Sequence, residues 1–301
     1  MKFISKSFLL VHLLFLFSEV LYAGDTTRTS TRADALQYIR NIKNLSRSNF
    51  WPNINPDEFL KNLKEDINIP LALYQGSNTN FCGYAALSYM PLNNDPLGHA
   101  KNLIHLFETG EVQYGQVFLQ PSLAVRLAAG NLKFKGGLDI RPAEQMWFLS
   151  LADHFKSYLN FFNKKYDAGD ENTFWAAVSY GKFNRMIKKL FNYDVHARGA
   201  DLRHPRVGDM YSYLSEQLKK DGTTIVFQNN AYLRKKNTSK LKPGFPTHFI
   251  VLLEIKKYEN DLIDVIYWDY GFRSLRQVTP AILKKIVFGV SFVSKKRSTH
   301  E

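Results

Sequence analysis

The chain carries one cysteine, Cys82, in the run Gln75-Gly76-Ser77-Asn78-Thr79-Asn80-Phe81-Cys82-Gly83-Tyr84-Ala85-Ala86-Leu87. A lone thiol has no intramolecular disulfide to form, so its presence calls for another reason. Glycine and asparagine precede it and a small-residue, apolar run follows. This is the pattern of a loop that delivers a cysteine to the first turn of a buried helix. Backbone N–H groups and the helix dipole favour a thiolate there. A thiolate attacks carbonyl carbon, and the reaction needs a base to manage the proton. His248 lies far downstream with Asp269 beyond it, giving the chain order Gln75, Cys82, His248, Asp269.

The second half of the chain gives that order a geometry. His248 opens an apolar run over 249–255, a polar turn follows over 256–261, and 262–268 reads as the return strand. A hairpin centred near Tyr258 and Glu259 places His248 opposite Asp269, Ile250 opposite Tyr267 and Leu252 opposite Val265. Residues paired directly share a face, with Cβ atoms about 4.5–5.5 Å apart. That proximity is what a base and the carboxylate that orients it require. A one-residue slip would place the two on opposite faces.

The run Cys82-Gly83-Tyr84-Ala85-Ala86 resembles the nucleophile helix of papain-like cysteine peptidases, closest to the branch that includes the bacteriocin-leader peptidases. The resemblance covers roughly residues 70–90 and 220–295. It implies Cys82 as nucleophile, His248 as its proton partner, Asp269 as the orienting carboxylate and Gln75 as an oxyanion donor. Trp268-Asp269-Tyr270-Gly271 is similar to that family's Asp-Pro turn, with Tyr270 in place of the proline. It further implies a two-lobed α+β fold, with the nucleophile helix in a helical lobe and His248 and Asp269 in an antiparallel sheet.

The elements that must hold these residues are legible in outline. Leu36, Ile39, Ile42 and Leu45 recur at helical spacing behind Ser30 or Thr31 as cap. Asn55-Pro56 opens a second helix. The nucleophile helix is expected to stop near Pro91, and another to run from Pro96 to Gly110. Pro121 and Pro142 mark two further starts, the second carrying an aromatic-rich helix to about Phe162. Asn172 is expected to cap a helix reaching about Phe191, and Asp209 to open the last helix before the strands. Strand patterns cluster at 223–228, 248–256, 262–269, 274–279 and 287–294. Helices segregated from an antiparallel sheet make an α+β fold. The segment 111–206 is expected to be a large helical insertion packed onto the core.

The N-terminus has Lys2 and Lys6, an apolar run over 7–17, and Ala23 before Gly24. This reads as a signal peptide over 1–23, followed by a helical segment over 24–70 and one domain over 71–301. A secreted or periplasmic protein is the expectation, with an uncleaved signal anchor as the alternative. The net charge is +13 and falls to about +12 when Lys2, Lys6 and Glu19 are removed. An acidic surface or polymer would suit that charge. The basic residues are scattered, and no nucleic-acid motif accompanies them, so no specific nucleic-acid binding is expected.

Other chemistry-bearing residues are given bland readings. Asp167, Asp170 and Glu171 lack the later ligands of a calcium loop. Asp194 with His196, and Asp201 with His204, have no second cysteine and no HExxH to complete a zinc site. His99 and His105, on a helix soon after the nucleophile, read as structural histidines, with a pocket role as the alternative. No cofactor and no metal ion is expected. Three functions compete: a thiol peptidase or amidase acting on peptide, protein or cell-wall peptide; an acyl-transferring or deamidating effector of the same fold; and a non-catalytic envelope or binding protein.

Overall fold

The computed structural model describes residues 29–76, 78–132, 140–156, 164–232, 244 and 246–296. The segment 1–23, expected to be a signal peptide, lies outside the described residues. The first half builds helices α1 (Arg32–Asn41), α2 (Pro56–Asn68), α3 (Cys82–Asn94) and α4 (Pro96–Thr109). A hairpin of β1 (Val112–Tyr114) and β2 (Val117–Leu119) follows, then α5 (Leu123–Ala128), α6 (Pro142–Phe155) and α7 (Tyr180–Phe191). The second half holds β3 (Tyr193–Gly199), α8 (Met210–Leu218), β4 (Thr223–Gln228), β5 (His248–Lys257), β6 (Ile263–Asp269), β7 (Phe272–Val278), α9 (Pro280–Ile286) and β8 (Val287–Lys295). The class is α+β.

Helix boundaries follow side-chain chemistry. Thr31 and Asp34 form a capping box on α1, Asn55 accepts from the Asp57 and Glu58 N–H groups ahead of Pro56, and Gly110 closes α4 at φ +74°. Two expected boundaries move. The helix that begins at Cys82 runs through Pro91 to Asn94, because Met90, Pro91 and Leu92 are all buried and tertiary packing outweighs the lost N–H bond. Asn172 sits in a short 3-10 turn, and Ser179 caps α7 by accepting from the Lys182 N–H. The helix opened by Pro142 ends at Phe155; residues 157–162 of its expected extension lie outside the described residues.

The main sheet is antiparallel throughout, in the order β3-β8-β4-β5-β6-β7. One face, through Phe227, Phe249, Val251 and Trp268, joins the core formed with α1 to α7. The other, through Val226, Ile250, Leu252 and Tyr267, packs under α8 and α9. Covering both faces explains why β5 opens with five consecutive buried residues. The segment 111–206 is not wholly helical. It contributes the β1–β2 hairpin and the edge strand β3, whose polar, largely exposed sequence carries no alternation to announce a strand.

Among the described residues, no helix is long and apolar enough to cross a membrane.

Candidate active site

Cys82 is the first residue of α3 and is partly exposed. Residue 81 offers no side-chain cap, and the first backbone N–H groups of a helix have no acceptor within it, so they point out of the start of α3. The helix behind the thiol is anchored firmly. Gly83 lies against Phe249 and Val178, and Trp147 Nε1 donates to Ser88 Oγ at 2.7 Å while Ser88 donates to the Tyr84 carbonyl at 2.7 Å. Beneath β5, Phe249 stacks on Phe183 at 4.3 Å and on Phe227 at 4.2 Å between ring centroids. The thiol therefore projects from a rigid element.

His248 is the first residue of β5 and Asp269 the last of β6, and both are buried. His248 Nε2 donates to Asp269 Oδ1 at 2.5 Å. Cys82 lies close enough to His248 to act on the ionisation of its ring. With Nε2 engaged by the carboxylate, Nδ1 is the ring nitrogen left to exchange a proton with sulfur. Complete burial by itself lowers an imidazole pKa. Here the charge and hydrogen bond of Asp269, aided by Cys82, outweigh burial and hold His248 well above the usual histidine range. The buried phenol of Tyr84 is pushed up, by burial first and then by the charge at Cys82.

The hairpin register differs from the expected one. Leu252 stands opposite Tyr267 and Val251 opposite Trp268, two residues away from the pairing about 258–259. The turn spans 258–262, closed by the Tyr258 N–H donating to the Leu262 carbonyl at 2.9 Å; next to it the pairing is displaced by three residues, with Ile255 opposite Val265, and a bulge at Leu253 takes one back. The net shift of two at the His248 end keeps His248 and Asp269 on a shared face, whereas residues 254–257 change partners by an odd number. His248 and Asp269 thus meet as diagonal neighbours, within reach of longer side chains.

The turn after Asp269 also has its own geometry. Tyr270 and Gly271 both take positive φ, +49° and +79°, the signs of a type I′ hairpin turn. Proline, locked near −65°, could not occupy position 270, so the likeness to an Asp-Pro turn ends here. Gly271 is required by its φ and by its approach to the Ala72 and Leu73 carbonyls, 3.3 and 3.2 Å from where a Cβ would stand. Tyr270 lies flat on His248, with centroids 5.0 Å apart and planes 16° apart.

That turn is clamped to the loop leading into Gln75. Trp268 Nε1 donates to the Leu71 carbonyl at 2.9 Å, Arg141 reaches the Ala72 carbonyl at 3.3 Å, and the Tyr74 N–H donates to Glu144 Oε1 at 3.1 Å. Arg141 gathers Glu65, Asp66 and Glu144 around one guanidinium. Burial, followed by the Glu144 charge, raises the Asp66 pKa well above the carboxylate range. Gln75 is 1% exposed, and both polar atoms of its amide lack a partner among the described residues. Among the described residues no hydrogen bond joins its amide to Cys82 or His248.

The remaining candidates are occupied by structural tasks. His99 is buried, bonded through Nδ1 to the Tyr114 hydroxyl at 3.0 Å, and burial lowers its pKa to about 3. His204 Nδ1 donates to the Val287 carbonyl at 2.8 Å. Asp170 and Glu171 accept from Lys164, Thr173, Tyr166 and nearby backbone N–H groups. His196 lies on β3, exposed. Among the described residues, no group of three or more His, Cys, Asp or Glu could hold a metal ion. Two side chains against His248 were absent from the sequence reading of the site. Tyr270 was visible there only as a departure from a turn motif. Gln228, opposite His248 on β4, carried no signal at all.

No protein-family model, no curated protein and no solved structure matches this chain.

Proposed function

We propose that this protein is an exported cysteine hydrolase that cleaves a peptide or amide bond with Cys82, His248 and Asp269. The observation that carries the reading is the His248–Asp269 hydrogen bond, joining two strands, with Cys82 at the start of α3 near enough to influence the same ring. The Cys82 thiolate attacks the carbonyl carbon, a C–S bond forms, and the carbonyl π electrons move to oxygen. The oxyanion is stabilised by the N–H groups at the start of α3, with the Gln75 amide as a second donor. Collapse breaks the C–N bond, and the leaving nitrogen takes the proton from His248 Nδ1. Water then attacks the thioester, giving its proton to the same nitrogen, and C–S cleavage restores the thiolate. Asp269 fixes the ring and stabilises its positive charge throughout. The substrate is peptide, protein or cell-wall peptide, and the resemblance to papain-like peptidases supports the same chemistry. Acyl transfer or deamidation would use the same groups. Export past the membrane rests on the segment 1–23.

Incubating the protein with a peptide mixture made by tryptic digestion of a bacterial lysate tests this. New peptide termini seen by mass spectrometry, absent with Cys82→Ala, support hydrolysis. One-dalton shifts would mark deamidation and new cross-links acyl transfer. Identical digests for both proteins contradict the reading.

A further inference from the structure

Gln228 ends β4 directly opposite His248, so the two side chains rise from the same face of the sheet with Cβ atoms about 4.5–5.5 Å apart. Its backbone is fixed on both sides. The Gln228 carbonyl accepts from the Thr247 N–H at 2.9 Å, and the next N–H, of Asn229, donates to the Ile286 carbonyl at 2.8 Å. A bulge in the pairing with β8 falls between Phe227 and Gln228, a device that re-aims a side chain at a sheet end. The side chain is 2% exposed, yet its Nε2 has no hydrogen-bond partner among the described residues. Folded proteins leave few buried amides in that state, and those few call for an explanation.

The sheet order supplies one. Asp269 engages His248 from β6, whereas β4 flanks β5 on the other side. His248 passes its proton to the leaving nitrogen, so the leaving residue of a substrate must sit over the ring. The amide that approaches this place from the β4 flank is Gln228. We propose that Gln228 Nε2 donates a hydrogen bond to the carbonyl oxygen of the residue on the leaving side of the scissile bond. The inference rests on the hydrolase reading and narrows it. A leaving group of ammonia has no such carbonyl, so the site favours cleavage within a peptide chain over deamidation of glutamine side chains.

Gln228→Met and Gln228→Leu remove the donor while filling the same space beside an apolar core. Three readings on each variant and the wild type test the proposal: thermal unfolding, alkylation of Cys82 by iodoacetamide, and kcat and KM on one peptide cleaved in the tryptic mixture. The expected result is an unfolding temperature no lower than wild type and unchanged alkylation, with kcat/KM down at least tenfold, mainly through KM. Unchanged kcat/KM with normal alkylation overturns the role of Gln228 and leaves the hydrolase reading standing. Loss of cleavage only in proportion to lost stability in both variants makes Gln228 structural and also overturns it. A wild type that neither alkylates rapidly nor cleaves any peptide overturns both readings together.

Discussion

Tyr270 lies flat against His248 from a backbone with φ +49°, a conformation that an aromatic residue seldom adopts. Such strain persists only where surrounding structure enforces it, here through Gly271 and the Trp268 contact with Leu71. Tyr270→Gly should leave the fold within about 1 kcal/mol of wild type, since it relieves the φ while losing the ring contact. Peptide turnover should fall, because His248 loses one wall. Tyr270→Pro cannot take the turn and should cost about 3 kcal/mol or more. Thermal melts and turnover on both variants check this; wild-type turnover in Tyr270→Gly would remove the ring from the account.

Asp269→Asn keeps a hydrogen-bonding side chain beside His248 Nε2 but loses the charge that stabilises the imidazolium. Folding should be retained and turnover reduced. Asp269→Leu leaves the buried Nε2 of His248 without its acceptor and should lose far more, in activity and in stability by about 1–3 kcal/mol. Equal turnover in the two variants would show that orientation by a polar group contributes nothing.

The raised His248 pKa has a consequence for stability. In the unfolded chain the group titrates near 6.5, and in the fold it titrates well above that. Protonated His248 therefore stabilises the native state fully below about pH 6.5, and this contribution is lost as pH rises through the folded value. The unfolding-temperature difference between wild type and His248→Gln should shrink from pH 6 towards alkaline pH. A difference that grows with pH would mean that the ring is held neutral.

Arg141 makes a stability prediction away from the chemistry. Arg141→Met leaves Asp66 and Glu144 facing each other in a buried site, and breaking such a cluster costs about 3–5 kcal/mol. Asp66→Asn should cost less, because Asp66 is already held towards its protonated form. Denaturant melts rank the two, and a milder effect for Arg141→Met would contradict the assignment.

Much of the site could be read before the fold, for identifiable reasons. The step from Gly and Asn to small apolar residues at Cys82 marks a helix start, and it survives any packing. The shared face of His248 and Asp269 depends only on an even count of residues, so a two-residue error in register did no harm. The register itself depends on a five-residue turn and on the bulge at Leu253, and neither has a sequence signature. β3 stayed hidden because an exposed edge strand needs no apolar alternation, and Gln228 because its environment is made by β5, β8 and α9 together.

The central claim is that His248 controls the reactivity of Cys82. The most direct measurement is the rate of iodoacetamide alkylation at Cys82 against pH, followed by intact mass, for wild type and His248→Ala. An ordinary thiol with pKa near 8.5 reacts at pH 6 at about 0.3% of its alkaline plateau. The wild type should keep at least about a third of its plateau rate at pH 6, and His248→Ala should lose most of that advantage. A wild-type profile that follows the ordinary thiol, or one that His248→Ala leaves unchanged, would contradict the account.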